Sequence, residues 1–213
     1  RMFHNNGNGT FTNVAAAAGV DFTSVLLPDG TTPTFGDYDL DGDLDMMVCG
    51  WRVRPVIPFS NRLFRNEGNG TFTDVSAQAG VLSGRIAGFT PNFCDMDGDI
   101  YPEILLASDL CLSRYLINDG DGTFTEFTNG SNTGKGCSEM GAAVGDVNGD
   151  GHFDWYVSQV WSATNPNWTG NHLYLNNGVG DHTYTVIQHE LGPLDFGGWG
   201  WVTMIVDFYL DER

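Results

Sequence analysis

Three short segments of the chain carry polar side chains, most of them carboxylates, at alternate positions, and each is followed at once by an apolar run. We number the nine positions of each segment as places one to nine, and name the segments loop one (37–45), loop two (95–103) and loop three (146–154). Ligands at places one, three and five converge when the backbone curls around a cation, place seven can offer its backbone carbonyl, and place nine closes the cage. The predicted ligand positions are Asp37, Asp39, Asp41, Asp43 and Asp45 in loop one, Asp95, Asp97, Asp99, Tyr101 and Glu103 in loop two, and Asp146, Asn148, Asp150, His152 and Asp154 in loop three.

The donor set indicates calcium, with about three sites in this chain. Calcium takes roughly 6–8 oxygen ligands, whereas zinc prefers cysteine and histidine, and the loops contain no cysteine or paired histidine. An EF-hand needs a glutamate at place twelve and flanking helices. That place holds Val48, Leu106 and Val157, and the flanks have the pattern of strands. Magnesium, which tolerates all-protein cages poorly, and aspartate-rich turns without metal remain as alternatives.

The acidic residues are clustered along the sequence rather than scattered. The chain has 27 acidic and 9 basic residues, for a formal charge of −18. Of the acids, 14 fall in the three loops and in an incomplete fourth segment with Asp207 and Asp211. This charge argues against nucleic acid and anionic membrane surfaces as partners. No stretch has the about 18 apolar residues of a membrane helix, so no membrane span is predicted.

A second motif recurs between the loops and sets the architecture. It reads "RMFHNNGNGTFTNV", "NRLFRNEGNGTFTDV", "RYLINDGDGTFTEF" and "NHLYLNNGVGDHTYTVI". Anchored on Phe3, Phe64, Leu116 and Tyr174, its copies are 61, 52 and 58 residues apart. Periods of this size indicate a solenoid, a propeller or an array. The predicted repeats are 1–60, 61–113, 114–170 and a truncated 171–213, all within one domain.

Each repeat has the pattern of about four short strands. The Asn-Gly turns are typical of β-hairpins, and "DMMVCG", "EILLAS" and "DWYVSQ" are short apolar runs after an acidic loop. We therefore predict an all-β fold, a β-propeller with about three and a half blades in this chain. Since propellers usually have about 4–8 blades, the remainder would come from a longer chain or from self-assembly of copies.

The loop sequences resemble FG-GAP/VCBS repeats, of the type found in cartilage acidic protein and in integrin α-subunits. The motifs are "DYDLDGDLD", "DMDGDIYPE", "DVNGDGHFD", "LFRNEGNGTFTDV" and "GWGW", and the resemblance extends over essentially the whole chain. It implies a seven-bladed, extracellular propeller with calcium at places one, three, five, seven and nine. Loop two departs from the pattern, because Ile100 replaces glycine at place six and Glu103 replaces aspartate, which is expected to weaken that site.

Four cysteines are compatible with disulfides outside the cell. Cys111 follows the second predicted strand of one blade and Cys137 precedes the first strand of the next, so we expect these two to pair. For Cys49 and Cys94, buried thiols and a second disulfide both stay open. Candidate N-glycosylation sites are Asn8, Asn69, Asn129 and Asn167, although turn chemistry alone explains the first two.

Two functions from different classes follow from this pattern. The first is an extracellular, calcium-stabilised propeller with a structural or adhesive role toward protein or matrix partners. The alternative is a carbohydrate-active propeller, a lectin or polysaccharide lyase, in which tryptophans stack on sugar rings. The candidates are Trp51, Trp161, Trp168, Trp199 and Trp201, although packing between blades is the stronger explanation for these aromatic residues. The isolated residues His189, Glu190 and Asp195 do not form a recognisable catalytic constellation, so we predict no enzymatic activity.

Overall fold

The structure, a computed structural model, describes residues 1–21, 30–50, 61–82, 87–165, 167–188, 200–201 and 203–206. Over these ranges the chain forms one two-stranded and three four-stranded antiparallel sheets with a single four-residue helix. The prediction of an all-β fold built from four-stranded blades is therefore confirmed.

The strands follow one another along the chain as up-and-down meanders. The two-stranded sheet contains β1 (Phe3–Asn5) and β2 (Phe11–Asn13). Blade one contains β3 (Gly30–Gly36), β4 (Asp45–Gly50), β5 (Arg62–Asn66) and β6 (Phe72–Asp74). Blade two contains β7 (Ala87–Cys94), β8 (Glu103–Asp109), β9 (Arg114–Asn118) and β10 (Phe124–Glu126), followed by the helix α1 (Thr128–Ser131). Blade three contains β11 (Glu139–Gly145), β12 (Asp154–Gln159), β13 (His172–Asn176) and β14 (Tyr184–Ile187).

The blades stack face to face, and the alternation of side chains along each strand supplies both interfaces. In β8, Ile104 and Leu106 belong to the core shared with blade one, whereas Leu105 and Ala107 belong to the core shared with blade three. All four side chains are fully buried. A strand buried on both faces reads as a continuous apolar run, which explains "EILLAS" after loop two.

The first strands of the three blades lie next to one another. Strand β7 packs against both β3 and β11, and the hydroxyl of Thr90 in β7 donates to the carbonyl of Met140 in β11 at 2.6 Å. Backbone bonds also link successive blades, since Phe124 N donates to Ala79 O at 2.9 Å. The loops that precede the second strands are consequently brought to one end of the stack.

The sheets are offset from the repeats in the sequence. Each blade combines an acidic loop with the hairpin motif that follows it, so that loop one and the hairpin of 62–74 share blade one. The first hairpin motif forms the two-stranded sheet by itself. Among the described residues, no helix has the length and apolar character that a membrane crossing requires.

Candidate metal-binding loops

Each acidic loop connects the first and second strands of its blade. Place one follows directly on the end of β3, β7 or β11, and place nine is the first residue of β4, β8 or β12. The predicted ligands of one loop are thereby held between two paired strands, at the same end of all three blades.

The aspartate at place one folds each loop by accepting backbone N–H groups. Asp37 accepts from Asp41 N at 3.1 Å through Oδ1 and from Gly42 N at 3.0 Å through Oδ2. Asp95 accepts from Gly98 N at 2.8 Å and Ile100 N at 3.0 Å. Such bonds satisfy backbone donors that have no strand partner within the loop.

Loop three repeats this arrangement, and its first aspartate is the most exposed of the three. Asp146 accepts from Gly149 N at 2.8 Å, Asp150 N at 3.2 Å and Gly151 N at 2.9 Å. These backbone donors lower the pKa of Asp146, because they stabilise the ionised carboxylate. The same fold therefore forms although asparagine replaces aspartate at place three.

The curled backbone needs positive φ at places four and six of every loop. Glycine occupies four of these six places, and the exceptions are Leu40 at +59° and Ile100 at +80°. A β-branched residue is strained in this region. Ile100 nevertheless keeps the hydrogen bond to Asp95, with its side chain 64% exposed. The departure noted in the sequence thus costs backbone strain while the loop geometry is kept.

The structure brings the carboxylates at places one, three and five together. In loop one, a ligand atom from each of Asp37, Asp39 and Asp41 lies within 4.8 Å of the other two, and in loop two Asp95, Asp97 and Asp99 form an equivalent group. Burial raises the pKa of Asp39, and the neighbouring Asp41 charge adds to this effect. Oδ1 of Asp39 is buried without a hydrogen-bond partner. In loop three, Asn148 Nδ2 donates to Asp150 Oδ2 at 2.8 Å.

The acid at place nine is completely buried in all three loops. Asp45 accepts from Tyr38 N at 3.2 Å and Asn66 N at 2.8 Å, and burial raises its pKa to about 6. Asp154 accepts from Val147 N at 3.0 Å and Asn176 N at 2.9 Å, and burial raises its pKa as well.

Glu103 in loop two differs from these two aspartates. Its Oε2 accepts from Met96 N at 2.7 Å, but Oε1 is buried and has no hydrogen-bond partner in the part of the chain that the structure describes. Burial raises the pKa of Glu103 to about 8. A buried carboxylate with only one oxygen hydrogen-bonded is costly to ionise, so loop two has the strongest need for a positive charge.

The residues at place seven lie beside the following hairpin. A Cβ atom added at Gly68 would lie 2.5 Å from Asp43 Oδ2, and one added at Gly120 would lie 3.4 Å from the Tyr101 ring. His152 lies beside Gly178 in the same way, because a Cβ atom added at Gly178 would lie 3.9 Å from His152 Nε2. Three chemically different side chains occupy this position, which supports a role for the backbone carbonyl rather than for the side chain.

Basic side chains do not neutralise the loops. Within the described ranges, no lysine or arginine forms an ion pair with a loop carboxylate. His182 lies near loop two, with Nε2 3.4 Å from Asp97 Oδ2 and Nδ1 3.1 Å from the Tyr115 hydroxyl. Near loop one, the charge of Arg65 offsets part of the rise in the pKa of Asp39. Among the described residues, ion pairs with lysine or arginine therefore do not neutralise the crowded carboxylates of the loops.

Sequence reasoning did not single out the asparagine that ends the first strand of each hairpin motif. We call Asn66, Asn118 and Asn176 the hairpin asparagines. Their side-chain Nδ2 atoms donate to the carbonyls at place eight, which are those of Leu44 at 3.0 Å, Pro102 at 3.1 Å and Phe153 at 3.2 Å. The signal was present in the sequence, because asparagine stands at this point in all four copies of the motif, including Asn5.

The cysteine and asparagine candidates are placed as follows. Cys111 and Cys137 form a disulfide between blades two and three, whereas the Cys49 thiol is buried and the Cys94 thiol is partly buried. The four candidate glycosylation sites, Asn8, Asn69, Asn129 and Asn167, are exposed. In the first two, Oδ1 accepts from the backbone and hydroxyl of the threonine two residues later, as turn chemistry predicts.

Several other candidates lie outside the described residues, namely Trp51, Trp199, His189, Glu190, Asp195, Asp207 and Asp211.

Comparison with known proteins agrees with this architecture. The sequence model of the FG-GAP-like repeat matches residues 1–48 and 95–157, which include all three loops. The chain belongs to the FG-GAP-like repeat family. Together with the four-stranded blades, this membership confirms the predicted FG-GAP propeller fold.

This FG-GAP repeat chain is also similar to two curated proteins. It is 27% identical over 189 residues to cartilage acidic protein 1 of Mus musculus and to cartilage acidic protein 1 of Homo sapiens. Each alignment covers 83% of this chain. The chain spans only 28% and 27% of the length of these two relatives, respectively.

Proposed function

We propose that the three loops bind calcium and that the ions stabilise the blades. The buried carboxylates at place nine carry this proposal, above all Glu103, whose Oε1 has no hydrogen-bond partner among the described residues. Places one, three and five add carboxylate oxygens at the same strand ends, with an amide oxygen at place three of loop three. An oxygen-only donor set of this size fits calcium better than magnesium, which prefers to keep several waters.

Calcium would act on stability through linkage. The ion would neutralise carboxylates that the folded chain crowds together, and the unfolded chain does not present this set of ligands. At a free calcium concentration 100-fold above Kd, each site adds about 2.7 kcal/mol to the free energy of unfolding. For a chain of this length, that corresponds to roughly 5–10 °C in Tm per occupied loop.

Thermal melts in calcium, in magnesium and in EDTA test this proposal. We expect the highest Tm in calcium and the lowest in EDTA. The number of bound calcium ions should fall by one in each of three variants, Asp41→Asn, Asp99→Asn and Asp150→Asn. Asp119→Asn, an exposed hairpin substitution outside the loops, is the matched control and should leave the stoichiometry unchanged. Identical melts in calcium and EDTA would contradict the proposal.

We further propose that the chain acts outside the cell as a non-catalytic interaction module. The Cys111–Cys137 disulfide is typical of oxidising compartments, and both relatives are cartilage acidic proteins. The net charge of −18 favours basic protein surfaces as partners. Binding of calcium-loaded protein to arrays of matrix proteins and of glycans tests this, and preferential glycan binding or polysaccharide cleavage would favour the carbohydrate-active alternative.

The two-stranded sheet supports the proposal that further blades complete the propeller. Phe3 and Phe11 are 56% and 62% exposed, whereas the equivalent Phe64 in blade one is 2% exposed because the neighbouring sheet covers it. We therefore propose that a preceding blade, from a longer chain or from a second copy, covers this face. Sedimentation of the 213-residue chain and of a chain extended by further blades distinguishes these sources: a monomeric short chain excludes the second copy.

A further inference from the structure

One amide side chain connects the metal loops of blades one and two. Asn118 Nδ2 donates to the carbonyl oxygen of Tyr38 at 2.9 Å and to that of Pro102 at 3.1 Å. Tyr38 occupies place two of loop one, and Pro102 occupies place eight of loop two. Both amide hydrogens are therefore used, one on each blade.

The same connection exists between blades two and three. Asn176 Nδ2 donates to Met96 O at 2.6 Å, which is place two of loop two, and to Phe153 O at 3.2 Å, which is place eight of loop three. The two side chains are 3% and 5% exposed. Their Oδ1 atoms accept from the backbone N–H two residues later, both at 3.0 Å, so the orientation of each amide is fixed.

The carbonyls held by each asparagine belong to peptide units that lead into predicted ligands. The unit carrying Tyr38 O continues into Asp39 at place three, and the unit carrying Pro102 O continues into Glu103 at place nine. Because a peptide unit is planar, a hydrogen bond on its oxygen restricts the direction in which the next residue leaves it. Asn118 thus restrains one ligand position in each of two loops.

We propose that Asn118 and Asn176 couple neighbouring loops, so that calcium bound to one loop raises the calcium affinity of the next. This inference rests on the proposed calcium binding. An ion that orders one loop fixes its carbonyl at place two, the carbonyl fixes the asparagine, and the asparagine fixes the approach to place nine of the adjacent loop. Linkage requires the effect to be reciprocal.

Asn66 provides a matched control. Its Nδ2 donates to Leu44 O at 3.0 Å within its own blade, and its Oδ1 accepts from Gly68 N at 3.1 Å. Within the described part of the chain it makes no bond to a second loop. Asn66→Ala therefore removes the contact to place eight and the turn bond from Gly68 N. Asn118→Ala removes the two equivalent bonds and, in addition, the inter-blade contact.

Calorimetric titration of the full chain with Ca²⁺ tests the coupling. Asp150→Asn disables loop three and leaves loops one and two as an interacting pair. We expect the second ion to bind about 5-fold or more tightly than independent sites would allow. Adding Asn118→Ala should abolish this enhancement, while adding Asn66→Ala should weaken loop one and preserve the enhancement.

The outcomes separate this inference from the calcium proposal. Two bound ions with the same enhancement in Asn118→Ala would overturn the coupling and leave calcium binding intact, whereas no binding in the parent chain would overturn both. If Asn118→Ala does not melt cooperatively, Asn176→Ala in an Asp41→Asn background tests the second copy.

A third measurement needs no asparagine variant. Hydrogen exchange of residues 37–45 is compared at one subsaturating calcium concentration in the parent chain and in Asp99→Asn, which disables loop two. The coupling predicts at least about 5-fold faster exchange in the variant, in the limit where exchange follows the open population. Equal exchange rates would overturn it.

Discussion

Replacing Glu103 by glutamine should change stability in opposite directions with and without calcium. Glu103 ionises near pH 4.5 in a model compound and near pH 8 in the folded chain, because burial disfavours the charged carboxylate. An acid whose pKa is raised on folding loses stability as the pH rises from the lower value to the higher one. At pH 7 this loss amounts to about 3 kcal/mol in the calcium-free chain.

Glutamine cannot ionise, and it keeps an oxygen for the bond from Met96 N. Its amide hydrogens enter a buried position, at a cost of about 1–2 kcal/mol. Glu103→Gln should therefore stabilise the chain in EDTA at pH 7 by about 1–2 kcal/mol, or roughly 3–6 °C in Tm. In saturating calcium the variant loses a ligand and up to about 2.7 kcal/mol of linkage, so it should be the less stable protein.

The assay is urea or thermal unfolding at pH 4 and pH 7, in EDTA and in calcium. At pH 4 the carboxyl is protonated in both states, so the advantage of the calcium-free variant should disappear. Asp154→Asn is the control, because both oxygens of Asp154 accept backbone N–H bonds and the amide must oppose one donor. It should destabilise by about 1–3 kcal/mol even in EDTA. A Glu103→Gln variant that is destabilised equally in EDTA and in calcium would refute the reasoning.

Three further predictions concern the blades. Ile100→Gly should relieve left-handed strain and raise the free energy of unfolding by about 1 kcal/mol in chemical denaturation; a loss of stability would contradict the strain. Cys111→Ser with Cys137→Ser should lower it by about 3 kcal/mol relative to the oxidised wild type, since the bridge spans 26 residues, and reduction should lower the wild type by a similar amount but leave the variant unchanged. Glu139 is completely buried, and this burial raises its pKa above the ordinary value of 4.5. The wild type therefore loses stability as the pH rises above about 4.5, because the buried carboxyl must ionise. Relative to the wild type, Glu139→Gln should gain free energy of unfolding over this range by up to about 1.4 kcal/mol per pH unit. A gain that does not depend on pH would contradict this origin.

The blade architecture could be predicted because local sequence patterns specify the strands and turns. The apolar run after each acidic loop, the Asn-Gly hairpins and the regular spacing all agree on short antiparallel strands. The structure places loops one, two and three between the first and second strands of successive blades. The assignment of calcium to these loops stays a prediction.

Other features depend on contacts between distant residues. The bond from Asn118 to Tyr38 spans 80 residues, and so does that from Asn176 to Met96. No local pattern specifies such a partner, although the recurrence of asparagine marked the position. The offset between sheets and repeats has the same origin, since pairing of β4 with β5 joins segments that the sequence assigns to different repeats. The helix α1 follows from burial of Thr128 and Ser131 rather than from helical periodicity.

The three loops differ in how well the protein satisfies the carboxylate at place nine, and the least satisfied loop lies in the middle of the stack. Asp45 and Asp154 have donors on both carboxylate oxygens, whereas Glu103 has a donor on one only and Ile100 strains the same loop. Loop two therefore gains most from a cation. It is also the middle loop, bonded to loop one through Asn118 and to loop three through Asn176. If the loops are coupled, the ion in the loop with the least favourable carboxylate sets the geometry of both neighbours, and the stack should lose its ions over a narrow range of calcium concentration.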